Sequence, residues 1–502
     1  MFRKEMNQSI NNVGPQEEWN KTYGGSAAEE ACMVQQTTDG GYILTGYTVS
    51  YGGGASDIWL VKTDVAGNQL WTKTFGGSGN DLSRSVQQTS DGGYIIGGQT
   101  QSFGNGGDDI WVIKTDASGN ILWEKTFGGI NDDNCFWILQ LPSDDYVLTG
   151  DWDLQGAADL YLMKLSSEGT ELWRKTYSGD NPGFGHSMQI VSDGGFILFG
   201  GTNLYGDLDM WLIKTDMNGT IQWEKIFGER IPEVATTIIQ TKDDGFLLGG
   251  WTLPTDLNKS MLLIKTDDEG NMLWEKSIDA GYEDEPYVNT LGLNEASDGS
   301  FIIAGEKIVL NEKDIWMLKT DMNGTILWDM IIGGASDEYG CGVEEIDDEH
   351  VIVVGSTKSY GAGGNDMWLI KVSQGNGTAP PLTPTISGPS SGKVNTEYPY
   401  QSSTTDPEGD QVFYWFDWGD GTNSEWVGPF DSGTVVGAKH KWSVKGSYEI
   451  KVKAKDTNGA ESEWSDPLPI SMPKVVVSGS LLLRLLERFL NMFPVLRQLL
   501  VL

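Results

Sequence analysis

The chain is poor in the residues that most often build a reactive site. It has three cysteines, Cys32, Cys135 and Cys341, in 502 residues. An odd, widely spaced set makes no disulfide framework and offers no zinc-ligand spacing. Histidine is as scarce, with His186, His350 and His440 alone, which argues against a histidine-built metal centre or triad. No run of 18 or more uninterrupted apolar residues occurs, so no ordinary membrane-spanning helix is expected. The opening MFRKEMNQSINNVG lacks the apolar core of a secretory signal. Either the chain is cytoplasmic or its true start lies upstream. Basic residues are few, 34 against 71 acidic, for a formal charge of −37. Such a surface repels phosphate backbones and argues against nucleic acid as a partner. It suits solubility or cation binding.

Glycine and tryptophan, by contrast, are abundant, at 66 and 20 residues. Glycine stands at about twice its usual share of ~7%, with no Gly-X-Y period. Short strands joined by tight turns are the reading. A repeat carries it. Trp19, Trp71, Trp123, Trp173, Trp223, Trp274 and Trp328 open related blocks, spaced by 52, 52, 50, 50, 51 and 54 residues. Each block holds four strand candidates: one before a DGG-type turn, one after it, a doubly apolar strand such as DIWVIKTD, and one after a turn such as ASGN. Asp-Gly and Gly-Asn turns fit hairpins because glycine tolerates positive φ. Four antiparallel strands about every 50 residues predict a β-propeller. The doubly apolar third strand suits a sheet sandwiched between two others.

The ends of the repeat array set the count. A lysine lies nine residues before each later tryptophan: Lys62, Lys114, Lys164, Lys214, Lys265 and Lys319. Nine residues after the seventh, Lys371, lies Pro380. The last block therefore lacks a fourth strand, and the orphan strand at Glu18–Gly25 supplies it. The expected fold is all-β: a seven-bladed β-propeller over residues 17–373, closed by its N-terminal strand, which removes exposed edges. Residues 1–16 are expected to be disordered. The lysines and tryptophans are read as packing and ion-pair elements between blades. These blocks resemble the roughly 50-residue propeller repeats of secreted archaeal and bacterial proteins. The hairpin Lys114–Trp123 also resembles that of quinoprotein-type propellers, but is one residue shorter between Asp116 and Trp123. No quinone is expected.

Residues 374–385, QGNGTAPPLTPT, read as a linker. Beyond it, DPEGD at Asp406, FDWGDGT at Phe416 and KGSYEIKVKAKDTNGAESEWSD at Lys445 resemble the PKD domain, an immunoglobulin-like sandwich, over residues 386–473. The resemblance implies a spacer or contact module on an extracellular protein. Asp406, Asp410 and Asp420 either hold Ca2+ or cap turns. Residues 474–502 read as a linker and a short amphipathic helix. Its polar residues Arg484, Glu487, Arg488, Asn491, Arg497 and Gln498 form one stripe. Three roles stay open for 481–502: peripheral membrane contact, a protein partner, or packing on its own domain.

In the predicted blades the TDxxGN and DGG turns share one end, and the variable loops share the other, so the latter is the candidate binding face. Ten residues after each tryptophan stand Glu29, Asp81, Asp133, Gly183, Glu233, Asp284 and Glu338. The six acids either ring a channel mouth and bind a hard cation, or accept hydrogen bonds from their own Gly-Gly loops. The fourth block breaks the pattern with NPGFGH. The loops between strands two and three carry Tyr51, Phe103, Trp152, Tyr205, Trp251 and Tyr360. These either stack on sugars or contact a protein, or else pack between blades. The acidic pairs Asp132/Asp133 and Glu283/Asp284 suggest glycosidase carboxylates without establishing their geometry. No triad, zinc motif or nucleotide loop appears. The expectation is a non-enzymatic binding or adhesion protein, extracellular or on the cell surface, that recognises a glycan or protein. The alternative is a carbohydrate-active hydrolase or lyase with an accessory PKD domain.

Overall fold

The computed structural model describes residues 15–153, 158–177, 183–203, 208–228, 232–252, 258–283, 292–309, 312–374, 380–406, 409–457 and 459–472. In the tail it describes Arg484, Leu485, Arg488 and Met492, all helical. The chain is all-β apart from these positions. It divides into two compact units, Val13–Asn376 and a unit containing Gly377–Leu502.

The larger unit is a propeller-like repeat of four-stranded antiparallel sheets, seven among the described residues. The first sheet is Glu29–Gln36, Tyr42–Thr48, Asp57–Thr63 and Gln69–Phe75. The next five follow the same order, with first strands Asp81–Gln88, Asp133–Gln140, Gly183–Ile190, Glu233–Gln240 and Gly292–Glu295. The seventh sheet contains Glu338–Asp347, His350–Thr357 and Asp366–Ser373. Its fourth strand is the N-terminal Gln16–Tyr23, antiparallel to Asp366–Ser373, with Trp19 opposite Lys371 and Tyr23 opposite Met367.

The period-two alternation of strands explains how neighbouring sheets join. In the first sheet Ile43, Ile58 and Leu60 pack against Tyr94, Ile96, Trp111 and Ile113 of the second. Their sequence neighbours Leu44, Trp59 and Val61 face the other way, onto Ile352, Val354, Met367 and Leu369 of the seventh. Both faces are buried, so the third strands carry apolar residues on each. Side chains add hydrogen bonds between the first strands of successive sheets. The Gln36 N–H donates to Glu344 Oε2 at 2.7 Å, that of Gln88 to Gln35 Oε1 at 2.6 Å, and that of Gln140 to Gln87 Oε1 at 2.6 Å.

The repeated tryptophans also join sheets. Trp19 packs on Tyr42, Trp71 on Tyr94 and Trp123 on Tyr146, each reaching the following sheet at 5.8–6.3 Å between ring centroids. The hairpin glycine of that following sheet seats the indole. A Cβ on Gly119, at φ +74°, would lie 2.8 Å from Trp71 Cζ3. The lysines do otherwise than expected. Lys62 pairs with Asp39 at 3.0 Å and Lys114 with Asp91 at 2.9 Å, and each aspartate belongs to the turn of the lysine's own sheet. The ion pair ties strand three to the hairpin beside it, so it stabilises a sheet from within and does not link blades.

The smaller unit packs a three-stranded sheet, Thr385–Ser387, Tyr398–Ser403 and Val436–His440, with a four-stranded one. The second sheet orders Asn423–Phe430, Val412–Asp417, Gly446–Asp456 and Leu468–Met472. Alternate residues of the long strand, Ile450, Val452 and Ala454, are buried with Tyr400, Tyr414, Trp418 and Trp442.

Candidate functional site

The acids placed ten residues after the tryptophans begin the first strands, and they are buried. Glu29, Asp81, Asp133, Glu233 and Glu338 sit among the buried polar residues. Glu29 accepts hydrogen bonds from the N–H of Gly25 at 2.8 Å, the Thr48 hydroxyl at 2.8 Å and the N–H of Ser50 at 3.1 Å. Glu338 repeats this with Gly334, Thr357 and Ser359. Asp81 takes Gly77 N–H, Thr100 and Ser102, and Asp133 takes the N–H groups of Gly129 and Asp153. Glu29, Asp81, Asp133 and Glu338 each tie the preceding glycine loop to the end of the second strand of their own sheet, with two to three donors converging from these two segments, and they do not form a solvated ring. Burial pushes the Asp133 carboxyl up, with Gly129 and Asp153 pulling it down. Asp284 lies outside the described residues. Of the suggested carboxylate pairs, Asp132 accepts the N–H of Asp108 at 3.0 Å while Asp133 is enclosed; the second pair is cut by the undescribed Asp284.

The aromatic candidates divide. Tyr51, Phe103 and Tyr360 are 46%, 45% and 45% exposed. Each lies on a tryptophan of its own sheet, Trp59, Trp111 and Trp368, with centroids 5.2–5.6 Å apart. These three belong to the first, second and seventh sheets, which pack consecutively. Trp152 and Trp251 are corrected to core positions: they are 6% and 2% exposed and sit in apolar clusters. Both lie within second strands, Trp152 opposite Asp133 and Trp251 opposite Val234, and not in the loop that carries Tyr51. Tyr205 lies outside the described residues.

A cavity of about 270 Å³ is lined by residues from the first strands of all seven sheets. Most of these strands carry a bulge at the same height, with register shifts at Ala31/Met33, Ser83/Ser85, Cys135/Trp137, Gly185/Ser187, Ala235/Thr237 and Gly340/Gly342. A bulge adds one residue and re-aims its side chain. The bulge residues are Cys32, Arg84, Phe136, His186, Thr236 and Cys341, and all line the cavity. They occupy the thirteenth position after each tryptophan, and the repeat varies there. Tyr287, the remaining member, lies outside the described residues. That variation inside an otherwise regular block was the available signal. It went unread because a bulge cannot be told from strand alternation in sequence.

The cavity chemistry follows. The Arg84 guanidinium lies 5.7 Å from the centre of the Phe136 ring, and Phe136 lies 5.3 Å from the His186 ring. Burial, and then the charge of Arg84, hold His186 down at about 4, so its imidazole is neutral near pH 7. Burial raises both thiols, Cys32 and Cys341, with Arg84 opposing it. An adjoining groove is lined by Glu30, Cys32, Tyr47, Asn80, Arg84, Gln99, Gln101 and Asp108. Burial pushes the Asp108 carboxyl up. Asp151 accepts the N–H of Gly185 at 2.8 Å, and burial raises its carboxyl to about 7.

In the smaller unit Asp406 accepts the N–H of Asp410 at 3.0 Å. Asp420 accepts Thr422 N–H at 3.1 Å and contacts His440 Nε2 at 2.9 Å. Among the described residues no group of three or more His, Cys, Asp or Glu side chains is placed to hold a metal ion. Asp406, Asp410 and Asp420 therefore do not converge, and Asp406 and Asp420 act as turn residues.

No protein-family model matches the chain, and no curated protein matches it. Among solved structures, the PKD domain of an M14-like peptidase from a Thermoplasmatales archaeon is similar at 44% identity, covering 19% of this chain and 99% of that one, with a TM-score of 0.19. Sqt1 from Chaetomium thermophilum is 11% identical over 90% of this chain and 100% of that one, with a TM-score of 0.39. A GH43 β-1,3-galactosidase is 11% identical over 47% and 55%, with a TM-score of 0.29.

Proposed function

We propose that the chain is an extracellular or cell-surface protein that binds a glycan through a closed seven-bladed propeller. The reading of one closed ring is supported by the strand Gln16–Tyr23 completing the last sheet, the apolar contact of the seventh sheet with the first, and a cavity bordered by every first strand. The observation that carries the binding reading is the arc of Tyr51, Phe103 and Tyr360 on three consecutive sheets. Flat, half-exposed aromatic faces stack on sugar rings, and Asn80, Gln99 and Gln101 in the nearby groove supply amide hydrogen bonds. The smaller unit is read as a PKD domain acting as spacer, and 481–502 as an attachment segment whose affinity for anionic vesicles can be read by co-sedimentation. A glycan array tests the main reading. Tyr51→Ala/Phe103→Ala/Tyr360→Ala should lose at least tenfold in affinity for whatever glycan the parent retains, each stacked ring contributing about 0.5–1.5 kcal/mol. Unchanged binding by the variant would overturn it.

The alternative, a carbohydrate-active hydrolase or lyase, draws on Asp151, whose carboxyl at about 7 matches a general acid near neutrality. Release of reducing ends from a polysaccharide, abolished by Asp151→Asn, would select it.

A further inference from the structure

The cavity among the first strands departs from the composition of the chain around it. The chain carries 71 acidic residues, yet among the described residues no Asp or Glu lines this cavity. What lines it is rich in donors. Arg84 brings five N–H groups in a planar fork, and neutral His186 brings one more. The indole N–H of Trp137, also in the wall, is buried and has no hydrogen-bond partner. A buried donor left unmade costs free energy, and this N–H lies within the wall, closed to solvent.

Arg84 itself is exposed within the strand Asp81–Gln88. The repeat lysines have their carboxylates: Asp39 for Lys62, Asp91 for Lys114, Asp193 for Lys214 and Asp298 for Lys319. Among the described residues no ion pair engages Arg84. Glu30 and Asp108 border the adjoining groove that Arg84 shares, but Glu30 accepts from the Asn365 amide at 3.2 Å and Asp108 from the Gln99 amide at 2.9 Å. The remaining wall combines apolar Val234, Leu293 and Val343 with Thr236 and Thr237.

We propose that this cavity binds a small organic carboxylate, its two oxygens paired with the Arg84 guanidinium and its body against Phe136. A planar fork matches a carboxylate in a bidentate pair, and the bulge between Ser83 and Ser85 places Arg84 among the cavity residues. The volume, about 270 Å³, admits one ring-sized unit. That unit is a uronate sugar or an aromatic acid, which share the carboxylate and differ in the hydroxyl-bearing or apolar ring. The site goes beyond the glycan reading and does not depend on the aromatic arc.

Calorimetric titration of the full chain with glucuronate, benzoate, glucose and sodium sulfate is the test. At least one of the two carboxylates should bind about tenfold or more tightly than glucose and than sulfate, and more weakly as salt rises. Preference for glucuronate assigns a sugar ligand and preference for benzoate an aromatic one. Arg84→Gln should remove the binding, and Arg84→Lys, which keeps charge but not the fork, should weaken it about tenfold. Neither carboxylate binding, glucose or sulfate binding as well as both, or Arg84→Gln binding like the parent would each overturn the proposal. Should the variants fail to fold by circular dichroism, the comparison of ligands and salt on the parent chain decides alone. The aromatic triple variant reads the arc and Arg84→Gln reads the cavity, so either reading can fail without the other.

Discussion

Single carboxyl groups in this chain respond to acid in opposite directions. Burial pushes Asp39 and Asp91 up, but hydrogen bonds from Thr37 or Thr89, from the paired lysine and from a glycine N–H hold both at about 2. Their contribution to stability is present above the unfolded value of 3.8 and is lost as pH falls through about 2. Asp151 has the opposite sign. Its carboxyl is raised from 3.8 to about 7 by burial, so its contribution is greatest below 3.8 and is lost as pH rises through about 7. The melting temperature should therefore climb as pH is lowered from 8 to 5, and then collapse near pH 2. Asp151→Asn should flatten the climb while leaving the collapse, as read by calorimetric scans across that range. A variant with the parent's slope between pH 5 and 8 would place the origin of the climb elsewhere.

At the scale of the element, the indole and hairpin glycine of successive sheets act as one joint. Gly119 needs both its left-handed backbone and its missing Cβ, since φ is +74° and the indole of Trp71 lies within 2.8 Å of where a Cβ would stand. Gly119→Ala should cost about 1–3 kcal/mol, measured as a shift in urea midpoint at unchanged slope. Trp71→Ala should absorb the steric part of that penalty in a double-mutant cycle, because the space it vacates receives the methyl, and leave the part due to the left-handed backbone. These joints were legible in the sequence because tryptophan and glycine recur at fixed offsets, and so was the contribution of Gln16–Tyr23 to the last sheet. The partner of each lysine was not legible, since offset alone does not say which sheet an aspartate turn belongs to. Nor was the burial of Trp152 and Trp251, which stand within the second strands Tyr146–Asp153 and Phe246–Thr252, before the loop position that Tyr51 occupies. The cavity residues escaped for a different reason. A bulge shifts facing by one residue, and Cys32, Arg84 and His186 look like ordinary strand positions until that shift is seen.

For the larger unit as a whole, the question is whether the sheets depend on one another around a complete circuit. The strand Gln16–Tyr23 is joined to Asp366–Ser373 across a register from Gln16–Ser373 to Tyr23–Met367. Its Tyr23 hydroxyl also reaches the Gly67 carbonyl of the first sheet at 2.6 Å, and Glu18 pairs with Lys371 at 3.0 Å. Removing residues 1–25 would strip hydrogen-bond partners from Asp366–Ser373, whose residues are apolar on both faces, and would empty the place of Trp19 beside Tyr42. An uncovered, apolar edge of that length pairs with other chains. In a closed ring the loss also removes one joint from the circuit, so unfolding should begin at the seventh and first sheets, and the melting temperature should fall. The truncated chain is expected to elute as dimers and larger species in size-exclusion chromatography with light scattering. Adding a peptide of residues 15–25 in excess should restore the monomer, because the missing strand is supplied in trans. A truncated chain that remains monomeric and melts with the parent would instead describe an open array of sheets, each stable on its immediate neighbour, in which the N-terminal strand only decorates the last edge.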